Sequence, residues 1–93
     1  MHGEYKVPGG KLIVADLQIV DGQLCAVEIS GDFFLEPETA LARITAAIEG
    51  MPSTATEHEL AQQVAAATIG AELLGITPAG VAIAVRRATG AAA

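Results

Sequence analysis

Two tight-turn signals divide the first third of the chain into strand-like segments, and they constrain the fold more than any other feature. Pro8-Gly9-Gly10 and Asp21-Gly22 lie on either side of the run Lys11–Val20. Proline fixes φ at a value suited to turns and glycine admits positive φ, so both places favour a chain reversal. Glu4–Val7, Lys11–Val20 and Gln23–Phe33 are therefore predicted to be strands of a small antiparallel meander.

The two longer strands alternate apolar and polar side chains, as half-buried strands do. The residues expected to face the core are Ile13, Ala15, Leu17 and Ile19 in the first strand and Cys25, Val27 and Ile29 in the second. A two-residue loop, which pairs Val20 with Gln23, would put these two sets on opposite faces. A three-residue loop with Gly22 in a left-handed conformation puts them on one face. We predict this loop, with Ile13 paired to Ile29, Ala15 to Val27 and Leu17 to Cys25.

Helix signals follow the strands. Pro37 suits a first helical position and Gly50 suits the residue just past the end of that helix. Its expected buried face contains Ala40, Leu41, Ile44, Ala47 and Ile48. Thr56 with Glu59 forms a capping box for a second helix, which should carry its apolar face on Leu60 and Val64 and end before Gly70.

The last part of the chain is less uniform. Thr77-Pro78 is a good N-cap and first-turn pair for a third helix through about Arg87, although the alternation of Val81, Ile83 and Val85 also suits a strand. Ala71–Ile76 could be a buried loop or a short strand. The predicted fold class is α+β, with a meander of two or three strands and helices packed on one face in a two-layer sandwich.

The length of 93 residues suits one domain, predicted over 1–88, with 89–93 as a frayed tail. The net charge of −6 disfavours nucleic acid, because like charges repel. The apolar run Gly80–Val85 is too short to span a membrane, so we expect no membrane partner and a cytoplasmic location. Cys25 is the single cysteine, which excludes an internal disulfide and a cysteine-based metal site.

No group of residues converges on a chemical step. His2 and His58 lie far apart in the sequence, and Ser30 and Ser53 have no recognisable base partner. Pro8-Gly9-Gly10-Lys11 lacks the spacing of a phosphate-binding loop and leads into a strand instead of a helix. We therefore predict no catalytic, cofactor-binding or metal-ligating residue in this chain.

Four segments carry a resemblance to a known family: HGEYKVPGGKL (2–12), SGDFFLEPE (30–38), ALARITAAIEG (40–50) and ELLGITP (72–78). The chain resembles the small C-terminal domain of single-chain lipoate–protein ligases and the separate small subunit of two-part ligases, and the opening Met1 favours the separate subunit. The resemblance implies helices on one face of a small antiparallel sheet. It also implies a non-catalytic accessory part that docks on the large catalytic part and enables formation of lipoyl-adenylate. ATP, lipoate and Mg²⁺ would bind in the assembled ligase and not to this chain alone.

The expected partner contacts are two lysines near the first turn and apolar side chains on the sheet face away from the helices. They are Lys6, Lys11, Leu12, Val14 and Phe34, with Leu24 and Ala26 expected on the same face. Two alternatives remain open. One is a lipoyl-accepting carrier modified on Lys11, and the other is a sulfur-acceptor-like adaptor that uses Cys25.

Overall fold

The computed structural model describes residues 1–90, so positions 91–93 of the predicted tail lie outside the described residues. The elements in chain order are β1 His2–Lys6, β2 Leu12–Val20, β3 Gln23–Gly31, β4 Phe34–Glu36, α1 Thr39–Ile48, α2 Glu57–Ala67, β5 Glu72–Leu74 and α3 Pro78–Ala88. β1, β2 and β3 form an antiparallel meander in that order, and β4 pairs with β5 in a second small sheet. The predicted α+β class is confirmed. Within residues 1–90, no helix is long and apolar enough to cross a bilayer.

The first turn has the predicted chemistry. The Gly10 N–H donates to the Val7 carbonyl at 2.8 Å, and Gly9 has a φ of 72°. Proline followed by a residue with positive φ is the arrangement of a type II turn. The turn therefore follows directly from the local sequence.

The second turn differs from the prediction. Val20 pairs with Gln23, so the loop contains only Asp21 and Gly22, with φ values of 53° and 75°. Positive φ at both positions is typical of a type I′ turn, whose twist matches that of the two strands. The predicted three-residue loop is wrong.

The residue that reconciles the two alternations lies inside β3. The pairing shifts between Asp16 and Gln18, so that Ala26 and Val27 together lie opposite Leu17. Ala26 has a φ of 51°, an uncommon value for a residue with a side chain and one found at such bulges. The conflict between the alternations was real, but a β-bulge resolves it and the turn does not.

The bulge corrects the predicted pairs and one core position. Ile13 pairs with Gly31, Ala15 with Ile29 and Gln18 with Cys25. Val27 and Ile29 face the core as predicted, but Leu24 is buried with 1% of its surface exposed and Cys25 is only half-buried. Leu24 therefore belongs to the core and not to the outer face of the sheet.

Glu49, the C-cap residue directly after α1, holds the bulge in place. Its two carboxylate oxygens accept the N–H groups of Ala26 and Val27, each at 3.0 Å. The following loop continues the contact, because Gly50 donates to the Leu24 carbonyl at 2.7 Å and Leu24 donates to the Met51 carbonyl at 2.8 Å. The irregular part of β3 is thus bound to the end of α1.

The helix ends follow local chemistry. α1 begins at Thr39, so Pro37 precedes the helix instead of opening it, while Gly50 lies just past the end with a φ of 84°. The predicted capping box of α2 is confirmed: Thr56 Oγ1 accepts the Glu59 N–H at 3.1 Å, and Glu59 Oε1 accepts the Thr56 N–H at 2.9 Å. The hydrogen bond from the Thr56 backbone N–H to the Glu59 carboxylate, and then that of the Thr56 side chain, lower the pKa of Glu59.

α3 is a helix, which settles the open alternative of a strand there. The Gly80 N–H donates to the Thr77 hydroxyl at 2.9 Å, as expected for an N-cap. Its buried residues are Gly80, Val81, Ala82, Ala84, Val85 and Ala88, and they pack against β1, β2 and α2. The small residues let the helix lie close to the sheet, so α3 forms the centre of the core. The other open segment, Ala71–Ile76, contains the short strand β5.

Candidate functional site

The segments that carry the resemblance contain positions where main chains approach closely. A Cβ built on Gly3 would overlap the backbone nitrogen of Ala88 and lie 2.5 Å from the carbonyl oxygen of Ala84. A Cβ on Gly31 would overlap the carbonyl oxygen of Leu12. These two glycines permit packing of α3 on β1 and of β3 on β2. Their role is structural.

Lys6 and Lys11 form a basic corner at the first turn. Lys6 Nζ donates to the Gly10 carbonyl at 3.2 Å, and the Lys11 N–H donates to the Gly75 carbonyl at 2.9 Å. The stem of Lys11 lies against Gly75, because a Cβ there would be 2.5 Å from Lys11 Cγ. Both lysines are exposed, and within residues 1–90 neither forms a salt bridge. Lys6 pairs with Leu12 on the outer face and Lys11 lies against Gly75, so the corner presents two separate ammonium groups.

The outer face of the meander is mainly polar. Leu12 is 39% exposed and Val14 is half-buried. Their cross-strand neighbours on this face are Lys6, Glu4 and Ser30, followed by the row His2, Asp16 and Glu28. With Leu24 buried, Leu12 and Val14 are the expected apolar residues left on the central strand, and Val20 on the same face is 55% exposed. This face alone is too small and too polar for a hydrophobic interface.

His2 bridges two carboxylates on that face. Its Nε2 lies 2.7 Å from Glu4 Oε2 and its Nδ1 lies 2.8 Å from Asp16 Oδ1. The hydrogen bonds to Glu4 and then Asp16 raise the pKa of His2 above its ordinary value of 6.5. Among residues 1–90, no three or more His, Cys, Asp or Glu side chains form a group that could hold a metal ion. The exposed cluster is a surface ion-pair network.

The strongest apolar feature is a pair of side chains on the second sheet, which we call the Phe34–Leu74 patch. Phe34 and Leu74 are direct partners across β4 and β5, and they are 74% and 55% exposed. The preceding Phe33 packs against the core, so the two adjacent phenylalanines point in different directions as expected. Beside the patch is a cleft of about 270 Å³ lined by Phe33, Phe34, Leu35, Glu36, Glu38, Leu41 and Leu74.

A second cleft, which we call the β3–α1 groove, lies between the edge strand β3 and helix α1. Its volume is about 640 Å³, and it is lined by Val27, Glu28, Ile29, Glu38, Leu41, Ala42, Thr45, Ala46 and Glu49. The sequence analysis did not identify this groove. Ala42 and Ala46 are both exposed and lie four residues apart on α1. They are the one signal that could have indicated it, because they leave room beside β3.

The remaining polar candidates are bonded locally or placed away from one another. Thr68 is the one buried polar residue among those described, and its hydroxyl donates to the Val64 carbonyl at 2.9 Å. Within residues 1–90, every buried polar side-chain atom has a hydrogen-bond partner. The described part of the chain therefore offers surfaces for binding and no orphaned buried group poised for chemistry.

Comparison with known proteins gives a match among solved structures. No protein-family profile matches the sequence, and no curated protein sequence matches it either. A solved structure from Thermoplasma acidophilum, described as an archaeal lipoylation system with a bi-partite lipoate protein ligase and its E2 lipoyl domain, contains a chain of the same fold. The TM-score is 0.71 at 23% identity, over 92% of this chain and 98% of that one. This chain therefore shares its fold with a chain of that lipoylation system.

Proposed function

We propose that this chain is a non-catalytic accessory subunit or domain of a lipoate–protein ligase. It docks on the large catalytic part and enables ATP-dependent formation of lipoyl-adenylate. The observation that carries the proposal is the match over nearly the full length of both chains to a component of a two-part ligase system. The sequence resemblance of segments 2–12 and 30–38 points to the same family.

A chain of this kind can promote a reaction only through differential binding. An accessory part shifts a conformational equilibrium of its partner by contacting one state better than the other. The large part would supply the lipoate pocket, the nucleotide site and the catalytic lysine. This chain would supply binding energy that is available only in the adenylation-competent arrangement.

The Phe34–Leu74 patch and the basic corner are the surfaces best suited to this contact. Phe34 is a large aromatic side chain left 74% exposed, and exposed aromatic anchors are typical of binding hot spots. Lys6 and Lys11 can pair with carboxylates of the partner or with a nucleotide phosphate. Leu12 and Val14 extend the contact on the outer face of the meander.

A carrier role would require the modified lysine to enter the ligase pocket. Lys11 follows the first turn instead of standing at its tip, and its N–H and stem are both engaged with Gly75. This placement favours a contact role over that of a lipoyl acceptor. An adaptor role would use Cys25, which is half-buried beside the bulge.

The test is reconstitution with a matching large catalytic part. Pyrophosphate release from lipoate and ATP should be absent with this chain alone, low with the large part alone and high with both. Intact mass after the reaction should show no lipoyl group on this chain. Pyrophosphate release by this chain alone would refute the accessory role, and a lipoyl adduct lost in Lys11→Arg would establish the carrier role instead.

A further inference from the structure

We propose that the β3–α1 groove binds an extended, basic segment of another polypeptide, which adds to β3 as a further strand. The starting point is that β3 is an edge strand. It pairs with β2 on one side, and on its other side Gln23 alone forms a bridge, to Pro52. Within residues 1–90, the stretch Glu28–Gly31 has no strand partner on this outer side.

The outer main-chain groups of this stretch can be assigned from their neighbours. The Val27 N–H points outward, because it donates to Glu49. Outward-pointing groups alternate along a strand, so Ile29 and Gly31 present their main-chain groups on the same side. Glu49 accepts the outward N–H groups of β3 as far as Val27, and the unpaired part of the strand begins at Glu28.

The dimensions of the groove suit an extended chain. α1 lies beside β3 and contains 10 residues, and Glu49, the residue directly after it, lies at the bulge. Its length is therefore about 15 Å, which matches about four or five residues of extended chain. A peptide that pairs with a strand edge while its side chains pack against a flanking helix is a recurring mode of recognition.

The lining specifies the chemistry of the occupant. The apolar lining residues are Val27, Ile29, Leu41, Ala42 and Ala46. The charged lining residues are Glu28, Glu38 and Glu49, with no lysine or arginine among them. Alternating apolar and basic side chains would complement this lining. A second copy of β3 would instead place its own Glu28 near this one, which is unfavourable for like charges.

The inference does not depend on the identity of the ligase partner. It adds a contact for an extended segment to the docking surface proposed above, and the experiment below uses this chain alone. A negative peptide titration would contradict the groove proposal and not the accessory function. A negative reconstitution would contradict the accessory function and not the groove proposal.

The experiment is a titration of the full ¹⁵N-labelled chain with the synthetic peptide acetyl-KVRVK-amide, followed by amide NMR. The largest shift changes should lie in Val27–Gly31 and α1, and exchange of the Ile29 amide should slow by about tenfold. Ala42→Arg fills the groove and lowers its net negative charge from three to two, so it should weaken binding at least about tenfold. The matched control is Ala65→Arg, the same change at an exposed site on α2, which should bind as the wild type does.

Two control peptides separate strand pairing from simple charge attraction. A peptide with glutamate in place of the basic residues should not bind, and a peptide with proline at its centre should bind more weakly because it lacks a donor. Shift changes centred elsewhere, or no binding at millimolar peptide, would overturn the proposal. Changes in the groove that depend on protein concentration without peptide would assign it to a second copy and overturn the proposal as well.

Discussion

Replacing Glu49 with alanine should destabilise the fold more than replacing either of the other carboxylates of the β3–α1 groove, Glu28 and Glu38. The Glu49 carboxylate accepts two N–H groups at 3.0 Å, one exposed at Ala26 and one partly buried at Val27. We assign about 1 kcal/mol to the exposed bond and about 1.5 kcal/mol to the partly buried one. A negative charge at a helix C-terminus is unfavourable, and its removal returns about 0.5 kcal/mol. The net loss is therefore about 2 kcal/mol.

The measurement is urea unfolding together with thermal unfolding. A loss of about 2 kcal/mol corresponds to a decrease of about 1–2 M in the urea midpoint and about 8–16 °C in Tm for a domain of this size. Glu49→Gln keeps one acceptor oxygen without the charge, so it should lose about half as much. Glu28→Gln is the matched control, because it removes the same charge from the neighbouring strand, where that side chain has no hydrogen bond to any of residues 1–90. It should stay within about 0.5 kcal/mol of the wild type.

Amide exchange tests the mechanism separately from the magnitude. In Glu49→Ala the amides of Ala26 and Val27 should exchange faster than the loss of global stability alone explains. The exchange rates of amides in the centre of α3 should change only by the amount that the loss of global stability predicts. Equal stability of Glu49→Ala and Glu28→Gln would refute the reasoning. So would unchanged exchange at the two bulge amides.

Other perturbations test the remaining assignments. Gly3→Ala should cost about 3 kcal/mol in urea unfolding, because its Cβ meets the main chain of α3, and a neutral result would contradict that close contact. His2 has a raised pKa, so its stabilisation is fully present below pH 6.5 and is lost as the pH rises through the folded pKa. The Tm difference between wild type and His2→Gln should therefore shrink above pH 6.5, and growth with pH would contradict this sign. Lys11→Ala should leave Tm nearly unchanged and lower the adenylation rate of the reconstituted ligase, by an amount that corresponds to a lost interaction of roughly 1–3 kcal/mol. If activity and its salt dependence both stay at the wild-type level, Lys11 is only a solvated surface residue. Phe34→Ser should keep the free energy of unfolding within about 0.5 kcal/mol and weaken binding to the large part by more than about 1 kcal/mol, and unchanged binding would exclude the patch as a docking site.

The features that the sequence predicted correctly depend on neighbours within about four residues. The Pro8-Gly9 turn, the Thr56 capping box and the Thr77 N-cap are each set by side chains next to the backbone groups they satisfy. α3 also formed despite its β-branched residues. Small residues on its buried side allow close packing on β1, and this packing outweighs the weak strand preference.

The exposed apolar features of the surface were predicted only in part. The exposure of Phe34 could be inferred from two adjacent phenylalanines, of which a strand can bury only one. Its pairing with Leu74 could not, since β4 and β5 are distant in sequence and each has only three residues. The β3–α1 groove was missed for the same reason: it is defined by the space between two elements and not by a pattern within either of them.

The register of the meander shows most clearly what the sequence determines and what the tertiary structure determines. The sequence by itself determined that one extra residue must lie somewhere between Leu17 and Val27, because the two alternations cannot otherwise share a face. It did not determine where, since a longer turn and a bulge restore the same parity. The tertiary structure decided in favour of the bulge, because Glu49, 22 and 23 residues away, accepts the two N–H groups that a bulge exposes. The Asp21-Gly22 loop could then keep its tight two-residue form, and Leu24 entered the core in place of Cys25.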